Sequence, residues 1–260
     1  MQYVSQTHGQ EILITGATGR IGSVLTRYFA INGRKVICPY RDSSRWATFL
    51  ETVAPSAVSN LVGVKVDLNR KDAPERLVRL IEKRGLGPTA FVSAARDRSA
   101  ADFDELGVPS RETWLDEYKM NVVVPFELSL ALAASEETRL RSIVVLASMY
   151  GVVAINPDLQ GPTSKRWPIH YGCAKAAAIH MVKELSVRLA SSGVRANAIS
   201  YGGVEGRVDE AFLGRYERMC PQGKMLNDND LPGAVEFLVS GAASGVTGAN
   251  VMVDGGWTVW

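Results

Sequence analysis

Two hydrophobic patterns alternate along this chain. Short continuous runs of apolar and β-branched residues, such as Ile12-Leu13-Ile14-Thr15, are followed by longer stretches whose apolar positions recur at helical spacing, as at Leu77, Leu80 and Ile81. The first kind predicts strands at 11–15, 35–38, 61–66, 89–93, 142–147, 195–200 and 250–253, the second of them stopped by Pro39. The other kind predicts helices at 21–31, 44–53, 73–83, 111–134, 171–191, 209–220 and 231–240. Continuously apolar strands separated by helices point to an α/β fold, a doubly wound parallel sheet with helices on both faces. No internal repeat, low-complexity tract or linker interrupts the alternation, so a single domain spanning 1–260 is expected.

Composition narrows the function classes. With 260 residues and 46% apolar content, the chain can bury a full core. A net charge of +2 offers no basic stripe for nucleic acid and no attraction to an acidic membrane. Three scattered cysteines, Cys38, Cys173 and Cys220, lack the spacing of a disulfide framework or a metal site and suit reduced thiols in a cytoplasmic protein. The first ten residues carry no basic-then-apolar signal pattern, and the most apolar stretch, 122–134, is interrupted by Pro125 and Glu127. A soluble, cytoplasmic protein without a metal is the expectation.

The first strand runs into Thr15-Gly16-Ala17-Thr18-Gly19-Arg20-Ile21-Gly22 and then a helix. Glycines between a strand and a helix permit a tight turn and close approach of a pyrophosphate, which the helix amides and dipole favour. The position, in the first strand–helix unit, is the one a dinucleotide site requires. At the end of the second strand, where the adenosine ribose would lie, stands Pro39-Tyr40-Arg41-Asp42, with Arg45 one turn further on. An acidic residue there would hold a ribose hydroxyl and an arginine a 2′-phosphate. Both signs are present; an NADP(H) preference is expected, with NAD(H) the alternative. Asp67-Leu68, after the third strand, is placed to meet the adenine amine or to cap a turn.

Tyr171 and Lys175 stand at i, i+4 at the start of an Ala-rich run and share one helix face. A phenol with a pKa near ~10 becomes a useful acid–base group at neutral pH only if a cation favours its phenolate.

Together with Asn121, Ser148, Asp67 and the tail Thr247-Gly248-Ala249-Asn250-Val251-Met252-Val253-Asp254-Gly255-Gly256, these residues give the chain its likeness to a known family. In order and spacing it resembles the short-chain dehydrogenases/reductases in their single-domain form. The resemblance implies a Rossmann-like sheet of seven strands, a nicotinamide cofactor, and a homodimer or homotetramer. It also implies roles: Ser148 polarises the substrate carbonyl, Tyr171 donates or removes the proton, Lys175 lowers the tyrosine pKa and anchors the nicotinamide ribose, and Asn121 holds a relay water. Gly16, Thr18, Gly19, Arg20, Ile21 and Gly22 would cradle the pyrophosphate, Arg41, Asp67 and Leu68 the adenosine, and Ala94 and Ala95 the middle of the cofactor. Gly202 and Val204 would border the nicotinamide.

Four departures stand out. The turn reads TGxxGxxG, as in the family's extended branch of epimerases and dehydratases. Ser93-Ala94-Ala95-Arg96 replaces Asn-Asn-Ala-Gly, which removes a side-chain bridge between strands and puts Arg96, either a substrate-anion contact or an outward-turned side chain, where the family has glycine. Tyr201-Gly202 replaces Pro-Gly. The gap between Ser148 and Tyr171 is long, and its segment 155–170 contains Lys165, Arg166 and Trp167, suited to walling a pocket for a charged, ring-containing ligand or to packing between subunits. A second such loop is expected at 202–228. Both resemble relatives in bacterial surface-sugar pathways, including those making nonulosonic acids. Trp257 and Trp260 are candidates for contact with a neighbouring subunit. The expectation is an oxidoreductase interconverting a carbonyl and a secondary alcohol on a small molecule, such as an anionic sugar or sugar nucleotide. A sugar epimerase or dehydratase using transient hydride transfer, and a non-catalytic cofactor-binding homologue, are the alternatives.

Overall fold

The structure is a computed structural model that describes residues 10–96, 102–160, 168–206 and 208–260. Seven parallel strands form one sheet: β1 (Glu11–Thr15), β2 (Lys35–Tyr40), β3 (Leu61–Lys65), β4 (Ala90–Ser93), β5 (Ser142–Ser148), β6 (Arg195–Tyr201) and β7 (Asn250–Val253). Their order is β3-β2-β1-β4-β5-β6-β7. The helices between them are α1 (Arg20–Ile31), α2 (Ser43–Glu51), α3 (Pro55–Val58), α4 (Ala73–Glu82), α5 (Arg111–Tyr118), α6 (Val124–Ala134), α7 (Pro157–Gln160), α8 (Ile169–Arg188), α9 (Glu210–Met219) and α10 (Pro232–Val239).

Alternation along each strand divides the core in two. Leu13, Ile37, Phe91, Ile143 and Val145 point to one face, where Leu77 of α4, Leu128 of α6 and Val182 of α8 cover them. Ile12, Ile14, Val36, Val92 and Val144 point to the other, under Leu25 of α1, Phe49 of α2 and Val235 of α10. Both faces are thus dry, which explains why the strands read as continuously apolar. The strand order reverses between β1 and β4, and the carboxyl ends of those strands open a crevice where ligands bind in sheets of this kind.

Two expectations about elements need correction. The second strand does not stop at Pro39 but runs through it to Tyr40. Pairing of β2 with β1 ends at Leu13–Ile37, while pairing with β3 continues to Tyr40–Lys65. The Val36 N–H and the Tyr40 carbonyl both bond toward β3. Pro39 therefore faces the side where the ladder has already ended, and its missing N–H costs no sheet bond. The helix expected over 111–134 is interrupted by a π-helical segment at Lys119–Val123, where the Val124 N–H reaches back to the Lys119 carbonyl. Pro125 has no N–H for the carbonyl one turn back, at Asn121, so regular α-helix cannot continue through this point.

A third, smaller apolar cluster sits above the carboxyl ends of the strands. It joins Met149, Leu159 of α7, Tyr216 and Cys220 around α9, Met225 and Trp257. Trp257 stacks on Tyr216 with centroids 4.5 Å apart and is 6% exposed, so it is part of its own chain's core and not the subunit contact expected. Trp260 is exposed. Among the described residues no helix is long and apolar enough to cross a membrane, and no cluster of His, Cys, Asp and Glu could hold a metal.

Candidate active site

The Gly-rich turn after β1 and the segment 94–96 after β4 face each other across the crevice. A Cβ on Gly22 would lie 2.1 Å from the Gly16 carbonyl oxygen, so only glycine lets α1 begin this close to the turn. The helix starts at Gly19 with no side-chain cap, leaving its first amides directed at the crevice for an anion. The bridge that the missing asparagine would make comes from the other strand: the Thr15 hydroxyl accepts the N–H groups of Ala94 and Ala95 at 3.3 and 3.4 Å.

The crevice, about 550 Å³, is lined on one side by Gly16, Thr18, Gly19, Arg20 and Ile21, and on the other by Ala94, Ala95 and Arg96. Leu146, Ala147, Tyr171 and Lys175 close its inner end. Its outer arm is bounded by Tyr40, Arg41, Asp42, Arg45, Asp67 and Leu68. There Asp42 is the N-cap of α2, accepting from the N–H groups of Ser44 at 2.8 Å and Arg45 at 3.2 Å. The Ser44 hydroxyl, donating to the same oxygen at 2.7 Å, and then these N–H bonds hold its carboxyl below the ordinary carboxylate range and commit that oxygen to the helix end. Asp67 likewise accepts the Asn69 N–H at 3.0 Å, the turn-capping role, and also lines the pocket. The uncapped helix start, the crowding at Gly22 and the long two-armed crevice fit a dinucleotide.

At the inner end, Ser148 closes β5 and accepts the Tyr150 N–H at 3.2 Å, which fixes its hydroxyl. Ser148 is also close enough to the Tyr171 phenol to favour its ionised form. A short turn, Met149–Gly151, follows. A Cβ on Gly151 would sit 2.8 Å from the Lys175 carbonyl carbon, so the turn can lie directly on α8 and bring Ser148 to Tyr171. Lys175 is buried, and its ammonium donates to the Leu146 carbonyl at 2.6 Å. Burial, with the Arg96 charge nearby, pushes Lys175 down to about 7. Asn121, on the π-helical segment, is buried and donates from Nδ2 to both the carbonyl and Oε1 of Glu117 at 2.8 Å. Its Oδ1 has no partner among the described residues.

Sequence reasoning overlooked Glu117 and misjudged Arg96. Arg96 turns inward, and its guanidinium lies 4.0 Å over the centroid of the Tyr171 ring. Its Nε and a terminal nitrogen meet the two Glu117 oxygens at 2.9 and 3.3 Å. Lys175 is further from the ring, at 5.7 Å. Burial holds the Tyr171 phenol above its ordinary value; Arg96 is the first influence opposing that, Ser148 the second, while Glu117 adds to the rise. Lys175 was the cation expected to act on the phenol; Arg96 lies nearer to its ring. Tyr150, the other phenol nearby, is pushed by burial up to about 12.

Several of the expected site residues also make contacts within the chain. Arg20 reaches across to Asp228 at 2.5 Å and to the Glu205 carbonyl at 3.1 Å, tying the start of α1 to the loop after β6. Gly202 is packed against Asp254 and Tyr216, and Val204 pairs with Leu226 in an isolated bridge. Tyr201, in place of the expected proline, sends its hydroxyl to the Leu231 carbonyl inside the core. In the segment 155–170, Leu159 is buried and its carbonyl accepts from Arg215 of α9 at 2.8 Å. Lys165, Arg166 and Trp167 lie outside the described residues.

A family model described as "Enoyl-(Acyl carrier protein) reductase" matches residues 16–258. The chain is 27% identical to a galactitol 2-dehydrogenase (L-tagatose-forming) of Cereibacter sphaeroides, covering 95% of this chain and 94% of that one. It is 28% identical to an uncharacterised short-chain type dehydrogenase/reductase of Sinorhizobium fredii, covering 96% of this chain but only 44% of that longer protein. A short-chain dehydrogenase from Leptospira borgpetersenii with bound NAD+ superimposes with a TM-score of 0.81 at 26% identity, over 96% of this chain and 93% of that one. With its sheet order and its Ser148, Tyr171 and Lys175 at one end of a dinucleotide crevice, the chain belongs to the short-chain dehydrogenase/reductase family of oxidoreductases.

Proposed function

We propose that the protein is a cytoplasmic, NADP(H)-preferring oxidoreductase, a homodimer or homotetramer, that interconverts a carbonyl and a secondary alcohol on a sugar or a related anionic polyol. The observation that carries this reading is the placement of Tyr171 and buried Lys175 at the inner end of the crevice, with Ser148 beside the phenol. When bound, a nicotinamide supplies or accepts the hydride. Ser148 holds the substrate oxygen at the strand end, and Tyr171 delivers or removes the proton at that same oxygen. Lys175 carries charge next to the ribose and phenol, and the unpartnered Oδ1 of Asn121 is suited to holding a water that returns the proton to solvent.

For the cofactor, support comes from Asp42: with a carboxylate oxygen committed to the α2 N-cap, Arg41 and Arg45 dominate the outer arm, as a 2′-phosphate requires. For the substrate class, support comes from the galactitol dehydrogenase relative. Presenting ketoses with NADPH and sugar alcohols with NADP+, while following nicotinamide absorbance, tests the reading. Stoichiometric oxidation or reduction supports it. Conversion of a sugar with no net change in absorbance would instead favour the epimerase or dehydratase, which the TGxxGxxG turn keeps as the second reading.

A further inference from the structure

Arg96 stands where the family pattern has glycine, and its surroundings are built rather than incidental. The guanidinium is stacked 4.0 Å from the Tyr171 ring centroid, and its fork is matched to Glu117, which is itself only 7% exposed at its side chain. Glu117 also receives the Asn121 amide and faces His170 Nε2 at 4.0 Å. A bidentate carboxylate fixes the plane of an arginine. A cation over an aromatic face is attracted to it, and more so when desolvated. One carboxylate thus orients both the arginine over the Tyr171 ring and the amide of Asn121.

We propose that Arg96, clamped by Glu117, is a positioning residue that seats the Tyr171 ring and adds to Lys175 a second cation favouring its phenolate. It acts through Tyr171 and not on substrate, because two of the guanidinium nitrogens are engaged by Glu117. The groups around the phenol are Arg96 after β4, Glu117 of α5, Tyr150 after β5, and His170 and Lys175 of α8. Tyr150 is kept neutral by burial, burial also holds His170 below its ordinary value, and Lys175 lies further off. Arg96 is the nearest cation to the ring of Tyr171 among the described residues. The inference rests on Tyr171 as the proton-transfer group, and its test is chosen to need no turnover.

The test is nuclear magnetic resonance titration of tyrosine labelled with carbon-13 at Cζ, in the full chain loaded with NADP+. The Tyr171 signal is assigned by its loss in Tyr171→Phe, and folding of each variant is checked by circular dichroism. Arg96→Gln is expected to raise the ionisation midpoint of Tyr171 by about one unit, the low end of what an adjacent opposite charge supplies. Arg96→Lys is expected to stay closer to the parent. Arg96→Met is expected to shift as far as Arg96→Gln and decides the matter if the glutamine variant does not fold. An unmoved midpoint in the folded neutral variant overturns the inference. An unmoved midpoint accompanied by a raised KM for carboxylated sugars alone would make Arg96 a substrate anchor instead. Absence of oxidoreductase activity in the parent would defeat the functional reading while leaving the titration result to stand by itself.

Discussion

The Lys175 ammonium is held by the Leu146 carbonyl at the end of β5, at 2.6 Å, with the Tyr171 ring centroid 5.7 Å away. It lies at the inner end of the crevice. A lysine buried there, pushed from 10.5 to about 7, carries fewer protons in the folded state than in the unfolded chain between those two values.

Stability should therefore depend on pH through this residue. Below about 7 both states are protonated and the burial penalty is fully present; it fades as pH climbs toward 10.5. In Lys175→Met that dependence disappears. Urea unfolding of the cofactor-free protein, at neutral pH and again near the top of that window, is expected to show the parent gaining stability relative to the variant as pH rises. Parallel changes in the two proteins would contradict this.

The outer arm of the crevice makes a separate prediction. Arg41→Ala is expected to weaken NADPH binding roughly 10- to 100-fold, the worth of a charge-assisted hydrogen bond of about 1.5–3 kcal/mol, while NADH affinity changes little. Fluorescence titration with both nucleotides measures this. Equal affinity of parent and variant for NADPH would remove the NADP preference from the proposal.

Trp257 belongs to the small cluster of Met149, Leu159, Tyr216, Cys220 and Met225. Because it stacks on Tyr216, whose hydroxyl accepts the Gly203 N–H at 2.9 Å, its loss reaches both α9 and the loop after β6. Trp257→Ala is expected to destabilise by about 3–5 kcal/mol if the cluster unfolds with the rest. A several-fold higher substrate KM with near-unchanged cofactor affinity should accompany it. Thermal unfolding and steady-state kinetics read the two effects; a KM equal to the parent's would show that the cluster does not shape the substrate pocket.

Much of this was legible in the sequence because burial on both sheet faces writes itself into the strands. The runs at Ile12–Ile14 and Ile143–Ala147 could hardly be anything else, and the Gly-rich turn between β1 and α1 located the crevice. Pro39 misled because a local rule about proline ignores which neighbour each residue faces, and only the register with β1 and β3 reveals that. The break at Lys119–Val123 was hidden in a stretch whose composition suits a helix throughout. Arg96 could be seen to depart from the family pattern, but its direction depends on Glu117, a residue on another element that no motif marks. Trp257 looked like a surface aromatic near the chain end, and only Tyr216 across the cluster shows it to be core.

The central claim is that Tyr171 moves the proton at the substrate oxygen while the crevice alone binds the cofactor. Turnover and NADP(H) affinity measured side by side on Tyr171→Phe test it most directly. The account predicts a fall in turnover of about 10²–10⁴-fold, the share of a positioned acid–base group, with nucleotide affinity close to the parent's. Turnover that survives the loss of the phenol would contradict it.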